Sequence, residues 1–554
     1  MKKIIALALM AVLSLGVFVA CSDGLPAGTT ELVFYRARSN NMADGTYDEE
    51  VTRAIEQKFY EDTGNQIKLT MHMYSGDDLP TQVDANYNRA RSQMDGIGHY
   101  VSEDGGSAIL KYAKEPGATI ELSELLEQYG QNILKNIRLN DEGHLAERAA
   151  YVPVDGEFQM NILPSFEQER SFGILLRRDM VEAVQSKTGI DPEEYDILND
   201  DYKNMSFDDF DKVMRAIKEN VPGITYSITG APWDIGRIFA PVFGVDYTNS
   251  ALDENGNFVP TQLDENYGEY LDLMYTWAKD GVWEKDSANM SEDQRLNMFI
   301  SGKAACFIAY PEITNLITVA NKFNAANTDP NAELMMIAPL ANDEGEVNGF
   351  MKESRCFEAM ILPFKTEHAQ LVIEFIDWMY SDAENYEMAK YGIKGEHWVD
   401  GPDFTVNGKT YKTWQYPDDK TDEFSTKVPY SGMWELLPNI NVSNRVNGAY
   451  NTNQRTWYIR CTQEFPCFGS EETEGIWYAD IPTEYNYESD KIGEFDGNIR
   501  GKAWAGITDD QGRTPKEMWV AYREEVYATC GDLLTYLDNE YEKAMEFFGN
   551  KFTD

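Results

Sequence analysis

Three segments near the start of the chain restrict its fold more than any other feature. Leu32, Val33, Phe34 and Tyr35 form the short apolar run of a buried strand. Val51, Ile55 and Phe59 recur at four-residue spacing, the apolar stripe of a helix. Residues 67–71, Ile-Lys-Leu-Thr-Met, alternate as a second strand. A strand, a helix and a strand in that order call for parallel strands joined by a right-handed crossover, because the helix has to cover the sheet face it crosses. The chain is therefore predicted to open as an α/β layer structure. With 554 residues, 42% of them hydrophobic, it holds more apolar material than one core uses, so two domains or one large two-lobed unit are expected.

The pattern continues. Leu122, Leu125, Leu126, Tyr129 and Ile133 predict one helix, and Gly173, Ile174, Leu175 and Leu176 a strand. Ser206 precedes a helix carrying Phe207, Phe210, Val213, Met214 and Ile217, with Asp209 where a capping box has Glu. Leu271, Met274, Trp277 and Ala278 share a helix face that Gly281 terminates. Ser291 and Gln294 spell a capping box, Leu296, Phe299 and Ile300 pack the helix, and Gly302 ends it before an apolar strand at 304–309. That strand delivers Tyr310, Pro311 and Glu312 to its carboxyl end, where ligands collect in open α/β sheets. Tyr310 and Glu312 are candidate cleft residues, with an aromatic finishing a core layer as the alternative.

At the amino terminus Lys2 and Lys3 precede an apolar run, residues 4–20, that ends Phe18-Val19-Ala20-Cys21. This reads as a secretory signal with a lipobox-like cleavage site, Cys21 becoming the lipidated first residue and 21–30 a tether. The chain then works outside the cytoplasmic membrane, held by acyl chains alone. An uncleaved one-pass anchor is the alternative, although a run of 17 residues is marginal for crossing a bilayer. Acidic residues number 94 against 48 basic, a formal charge of −46, which excludes the basic footprint that nucleic-acid binding needs. Of six cysteines, five remain once Cys21 is lipidated, so no disulfide framework is expected, though Cys461 and Cys467 are close enough in sequence to bridge. The histidines are scattered, and Asp253, Asn255 and Gly256 make a turn too short for a calcium loop, so no metal or cofactor is predicted.

Several pieces in order resemble the extracellular solute-binding proteins of bacterial ABC importers, in particular the large lipoprotein branch that takes up oligosaccharides. They are the strand at 32–35, the helix from Asp48 ending Phe59-Tyr60-Glu61-Asp62-Thr63-Gly64, residues 120–126, residues 174–179, Met298-Phe299-Ile300-Ser301-Gly302-Lys303-Ala304-Ala305, residues 369–380, and 391–398. The resemblance covers about residues 30 to 400 and implies a two-lobed periplasmic-binding-protein-like clamshell. Each lobe is a mostly parallel sheet flanked by helices, with extra helical elements at the C-terminus. Residues 31–160 with 340–400 would form the first lobe, and 161–339 with 401–554 the second. It also implies a monomer that closes on an oligosaccharide and presents it to permease subunits, touching the membrane only through its lipid.

A pyranose stacks its apolar face on an aromatic ring while its hydroxyls take hydrogen bonds from polar side chains. The candidate ligand residues are therefore Tyr35, Arg36 and Arg38 leaving the first strand, Trp233 and Asp234 in the loop Gly230-Ala231-Pro232-Trp233-Asp234, Tyr310 and Glu312, and the later tryptophans Trp398 and Trp457. Packing is the alternative for each tryptophan, and Trp233, set among Pro and Gly rather than in an apolar periodic segment, is the strongest candidate. Arg36 and Arg38 together could grip a uronate. Two other functions compete. A mostly helical glycan-binding lipoprotein of the outer membrane is opposed by the β-α-β opening. A secreted glycoside hydrolase needs only two carboxylates, and the chain has no His-Glu-x-x-His, Gly-x-Ser-x-Gly or Ser-x-x-Lys that would mark other hydrolytic chemistry.

Overall fold

The computed structural model describes residues 28–552, except 39–43, 77, 88–92, 101–107, 141–143, 168–172, 248–250, 254–255, 310–312, 328–331, 352–355, 357, 425, 449–450, 470–475 and 477–479. The apolar run at 4–20, Cys21, Tyr310 and Glu312 lie outside the described residues.

The opening unit is Thr30–Arg38, Asp48–Thr63 and Ile67–Ser75, with the two strands parallel from Thr30 opposite Ile67 to Arg38 opposite Ser75. Val51, Ile55 and Phe59 are the buried face of the helix. Gly64 ends it in the left-handed region at φ 79°, a conformation that costs a residue with a Cβ roughly 1 kcal/mol. Gly96–Tyr100 pairs in parallel on the other side of the first strand, and Glu358–Ile361 and Leu163–Pro164 complete a five-stranded sheet. Only Glu358–Ile361 runs against its neighbours, so the other strands share one direction.

A second sheet orders Leu334–Ile337, Gly173–Arg177, Cys306–Ala309 and Ile228–Thr229. Gly173–Arg177 is antiparallel to both neighbours while Cys306–Ala309 is parallel to Ile228–Thr229. The carboxyl ends of the remaining strands therefore collect on one edge. The helices around this sheet start where the caps place them. Ser206 Oγ accepts the Asp209 N–H at 3.1 Å, and Ser291 with Gln294 forms a complete capping box. The apolar series from Leu122 to Ile133 is not one helix but two, Ser123–Tyr129 and Gln131–Arg138. The break falls at Gly130, where a Cβ would lie 2.6 Å from Leu126 Cδ2. The new helix start is satisfied from outside, by Asp377 accepting the N–H groups of Asn132 and Ile133.

Each sheet has its own apolar core, and the chain passes between them more often than the sequence suggests. The return to the first core comes after Met351 rather than near 340, because Phe350 and Met351 are held on the second lobe by a parallel ladder to Cys467 and Phe468. Tyr430, Trp434, Leu436 and Leu437, expected in the second lobe, pack in the first core. A small third cluster unites Phe404, Val406, Tyr411, Val446 and Ile459. Among the described residues Cys306, Cys356, Cys461, Cys467 and Cys530 form no disulfide, and the Cys461 thiol rests on the Met336 sulfur at 3.3 Å. Among the described residues no helix is long and apolar enough to cross a membrane.

The last helix, Gly531–Lys551, joins the lobes. Leu533 is buried in the second core and Tyr541 stacks on Phe258, next to Val259 of that core, whereas Ala544 and Phe548 belong to the first core and Phe547 stacks on Phe158 at 4.8 Å. Phe548→Ala is expected to lower the unfolding free energy by roughly 3 kcal/mol through lost burial and a residual cavity. Phe364→Ala, which removes a ring that is 65% exposed, stays within about 0.5 kcal/mol. Guanidinium chloride unfolding of the two variants measures the contrast.

Candidate ligand-binding site

The carboxyl edge of the second sheet carries the most open tryptophan among the described residues. Strand Ile228–Thr229 runs through Gly230 and Ala231 into the helix Pro232–Phe239, whose first position is a proline already set to a helical φ. Ile235, Ile238 and Phe239 bury the inner face, and at Gly236 a Cβ would sit 2.2 Å from the Tyr247 ring, so the helix docks closely against that tyrosine. Trp233 is left on the outer face and is 51% exposed. One side of its ring meets Arg295, whose guanidinium carbon is 5.8 Å from the ring centroid. Arg295 donates to the Ser287 and Met290 carbonyls at 3.0 and 2.5 Å, and Ser287 Oγ in turn donates to the Gly230 carbonyl. Burial lowers the Arg295 pKa while the neighbouring Asp234 charge opposes that shift. The tryptophan is thus held on a braced loop rather than on a free one.

The edge of the first sheet is more committed. Tyr35 is buried between His72 and Tyr74, with ring centroids at 4.8 and 5.9 Å. Arg36 donates to Glu358 Oε2 at 2.7 Å and to the Met433 carbonyl at 3.4 Å. Burial works against its charge, yet contact with Glu358 prevails and raises its pKa. The pairing expected of Arg36 with a ligand carboxylate is therefore already made inside the protein. Arg38 ends its strand opposite Ser75. Beside this edge Glu435 accepts from Lys390 Nζ at 2.7 Å and from the Tyr386 hydroxyl at 2.5 Å, which fixes the end of the helix Ala383–Tyr391.

From there aromatic rings lead toward the second lobe. Tyr391 lies 5.1 Å from Trp414 and 5.5 Å from Trp398. Trp414 and Tyr391 are half-buried, whereas Trp398 is 1% exposed, donates its indole N–H to the Gly392 carbonyl, and sits between Lys394 and Arg445, each 5.1 Å from its ring. Trp457, on the helix Thr452–Gln463, is 4% exposed within the second core. Both were expected in the cleft, and both present packed rings instead. The neighbour of Trp457, Tyr458, is half-buried; burial works against the charge of Lys390, yet contact with Glu435 raises its pKa, while burial raises that of Tyr391, and Tyr458 adds a small electrostatic contribution to each.

Residues 99–386, just over half of the chain, match the family model of bacterial extracellular solute-binding proteins. The chain belongs to this family. It is 25% identical over 248 residues to the polygalacturonan/rhamnogalacturonan-binding protein of Bacillus subtilis, which is 44% of this chain and 47% of that protein, so the alignment spans about half of that curated relative. The N-glycan transport solute binding protein of Streptococcus pneumoniae aligns with a TM-score of 0.60 at 13% identity, covering 93% of this chain and 99% of that one. An HMO binding, ABC-transporter associated solute binding protein from Bifidobacterium longum infantis gives 0.62 at 12% identity, covering 93% and 99%. These likenesses establish the two-lobed solute-binding fold, and the family consists of extracellular binding proteins.

Tyr391, Trp414 and Arg295 join the candidate site without having been singled out in the sequence, where Tyr458 stood only as a flank of Trp457. The first two carry a usable signal, since Thr413, Trp414, Gln415 and Tyr416 alternate as a strand and Tyr391 closes a helix before Gly392. The loop after Tyr391 is pinned by His397, whose Nδ1 accepts the Ile393 N–H at 3.0 Å and which burial keeps below its ordinary pKa of 6.5. Below that value the unfolded chain takes up a proton that the folded state resists. The His397 contribution is therefore complete above 6.5, declines as pH falls beneath it, and is gone once pH passes the folded value. His397→Gln is expected to flatten the fall in melting temperature between about pH 7 and about pH 5, measured by calorimetry.

Proposed function

We propose that this chain is an extracytoplasmic receptor, held to the membrane by lipid on Cys21, that takes an oligosaccharide between its lobes and passes it to the permease of an ABC importer. The family membership and the two-lobed fold support the class of function. The relatives' names, which speak of N-glycan transport, HMO binding and polygalacturonan/rhamnogalacturonan binding, support a glycan as the solute. The observation that carries the reading in this chain is Trp233, an indole 51% exposed at the carboxyl edge of the second sheet and braced from beneath by Arg295. A large apolar ring held open to water beside an acidic side chain is what a pyranose needs, its C–H face on the ring and its hydroxyls on the polar neighbours.

A ligand that touches Trp233 on one lobe and the Tyr391 region on the other binds best when the lobes are together. Moving a two-state equilibrium from 1:99 to 99:1 takes roughly 5.5 kcal/mol of differential binding, within reach of several stacked rings and hydrogen bonds. No chemistry on the sugar is required, and the energy for transport comes from elsewhere.

Thermal melting against a panel of oligosaccharides tests the reading, because a ligand present at about 100 times its Kd adds about 2.7 kcal/mol to stability. Trp233→Ala is expected to weaken binding at least tenfold, about 1.4 kcal/mol, with apo melting nearly unchanged. Shortened sugars in the incubation, or a panel without a single shift, would overturn it. Cys21→Ser is expected to release the protein from the membrane fraction.

A further inference from the structure

Resting on the receptor reading above, we propose that Arg455 is the receptor for a sugar carboxylate, so that the oligosaccharide taken by this chain is an acidic one. In a protein of formal charge −46 a guanidinium rarely lacks an acid, and Arg36, Arg178, Arg445 and Arg460 each hold one or more at ion-pair distance. Arg455 makes neither an ion pair nor a side-chain hydrogen bond with any described residue, and its Nε is buried with no partner. Burial lowers its pKa, and among the described residues no carboxylate compensates. A partly desolvated cation without a counter-charge is costly, and an arginine fork supplies two parallel N–H groups that match a carboxylate arriving from outside.

The side chain is also held in place. Its guanidinium carbon lies 4.2 Å from the Phe404 ring centroid, a stacked contact against the small third core. The helix beneath begins in a complete capping box of Asn451 and Gln454. Three residues on, and so on the same helix face, is Tyr458, which adds a small electrostatic contribution at Lys390 and Tyr391 of the first lobe. Lys390 is already satisfied by Glu435, as Arg36 is by Glu358, which leaves Arg455 as the guanidinium beside the aromatic junction with its donors unused. A carboxylate on Arg455 would bring the rest of its sugar alongside Tyr458.

Calorimetric titration of the full chain with trigalacturonate, with sialyllactose and with neutral galactotriose tests this, repeated for Arg455→Met and Arg455→Lys. Methionine keeps the stack on Phe404 without charge, and lysine keeps the charge without the fork. The expected result is that one acidic trisaccharide binds at least tenfold more tightly than the neutral one and more weakly as salt is raised. That margin should vanish in Arg455→Met and survive in part in Arg455→Lys. The acidic sugar that carries the margin identifies the carboxylate as a uronate or a sialate. Equal or tighter binding of the neutral sugar, or a margin that outlives Arg455→Met, overturns the proposal and leaves the receptor reading standing. Absence of binding by all three and by the wider oligosaccharide panel overturns both.

Discussion

The rest of this structure depends on one constraint, the burial of two sheets in two separate apolar cores by a single chain that has to pass between them. Where the chain leaves one core for the other, its backbone N–H and C=O groups still need partners. The chain meets that need by laying crossings side by side. The Phe166 N–H donates to the Pro438 carbonyl and the Ile440 N–H to the Phe166 carbonyl, while Phe350 and Met351 form a ladder with Cys467 and Phe468. Segments far apart in sequence thereby complete each other. The later part of the chain acts as the second rail of the connection and is not a separate appendage.

Charge is arranged on the same plan. With 94 acidic residues against 48 basic, a cation near the lobe edges generally finds a carboxylate. The half-buried pairs Arg36–Glu358 and Lys390–Glu435 add less to stability than their short distances suggest, because desolvation offsets much of the attraction. What they supply is position. Glu435 takes hydrogen bonds from both Lys390 and Tyr386, and the Tyr386 hydroxyl accepts the Asn439 N–H, so the end of one helix and the 433–439 segment cannot move independently. Tyr391, whose ring lies against Trp414 and Trp398, leaves this fixed point.

Local signals in the sequence carried the first sheet and most helices, because they rest on contacts close along the chain. The four-residue spacing of Val51, Ile55 and Phe59, the caps at Ser206 and Ser291, and the stop at Gly281 all stand in the structure where the residues place them. The helix expected from Leu122 through Ile133 breaks at Gly130 because Asp377, 245 residues away from Asn132, supplies a helix cap that no local pattern contains. The tryptophans divide the same way. Trp233 was legible as an open ring because Pro and Gly surround it. Trp398 and Trp457 sit in polar stretches too, yet are buried by Arg445 and by the second core through contacts that sequence spacing does not encode. The strand direction of Gly173–Arg177 and the placement of 430–437 in the first core are likewise long-range outcomes.

The last helix limits how such a molecule can change shape. Its 21 residues span roughly 31 Å at about 1.5 Å per residue, and it is anchored by Leu533 and Tyr541 in one lobe and by Ala544 and Phe548 in the other. An α-helix resists bending, so a change in the angle between lobes has to be taken up at its contacts, where the two anchor sets come within three residues of each other between Tyr541 and Ala544. That short interval favours rotation about the helix over separation along it. These anchors leave the lobes a hinge-like freedom and little other, which is the freedom a solute-binding protein uses.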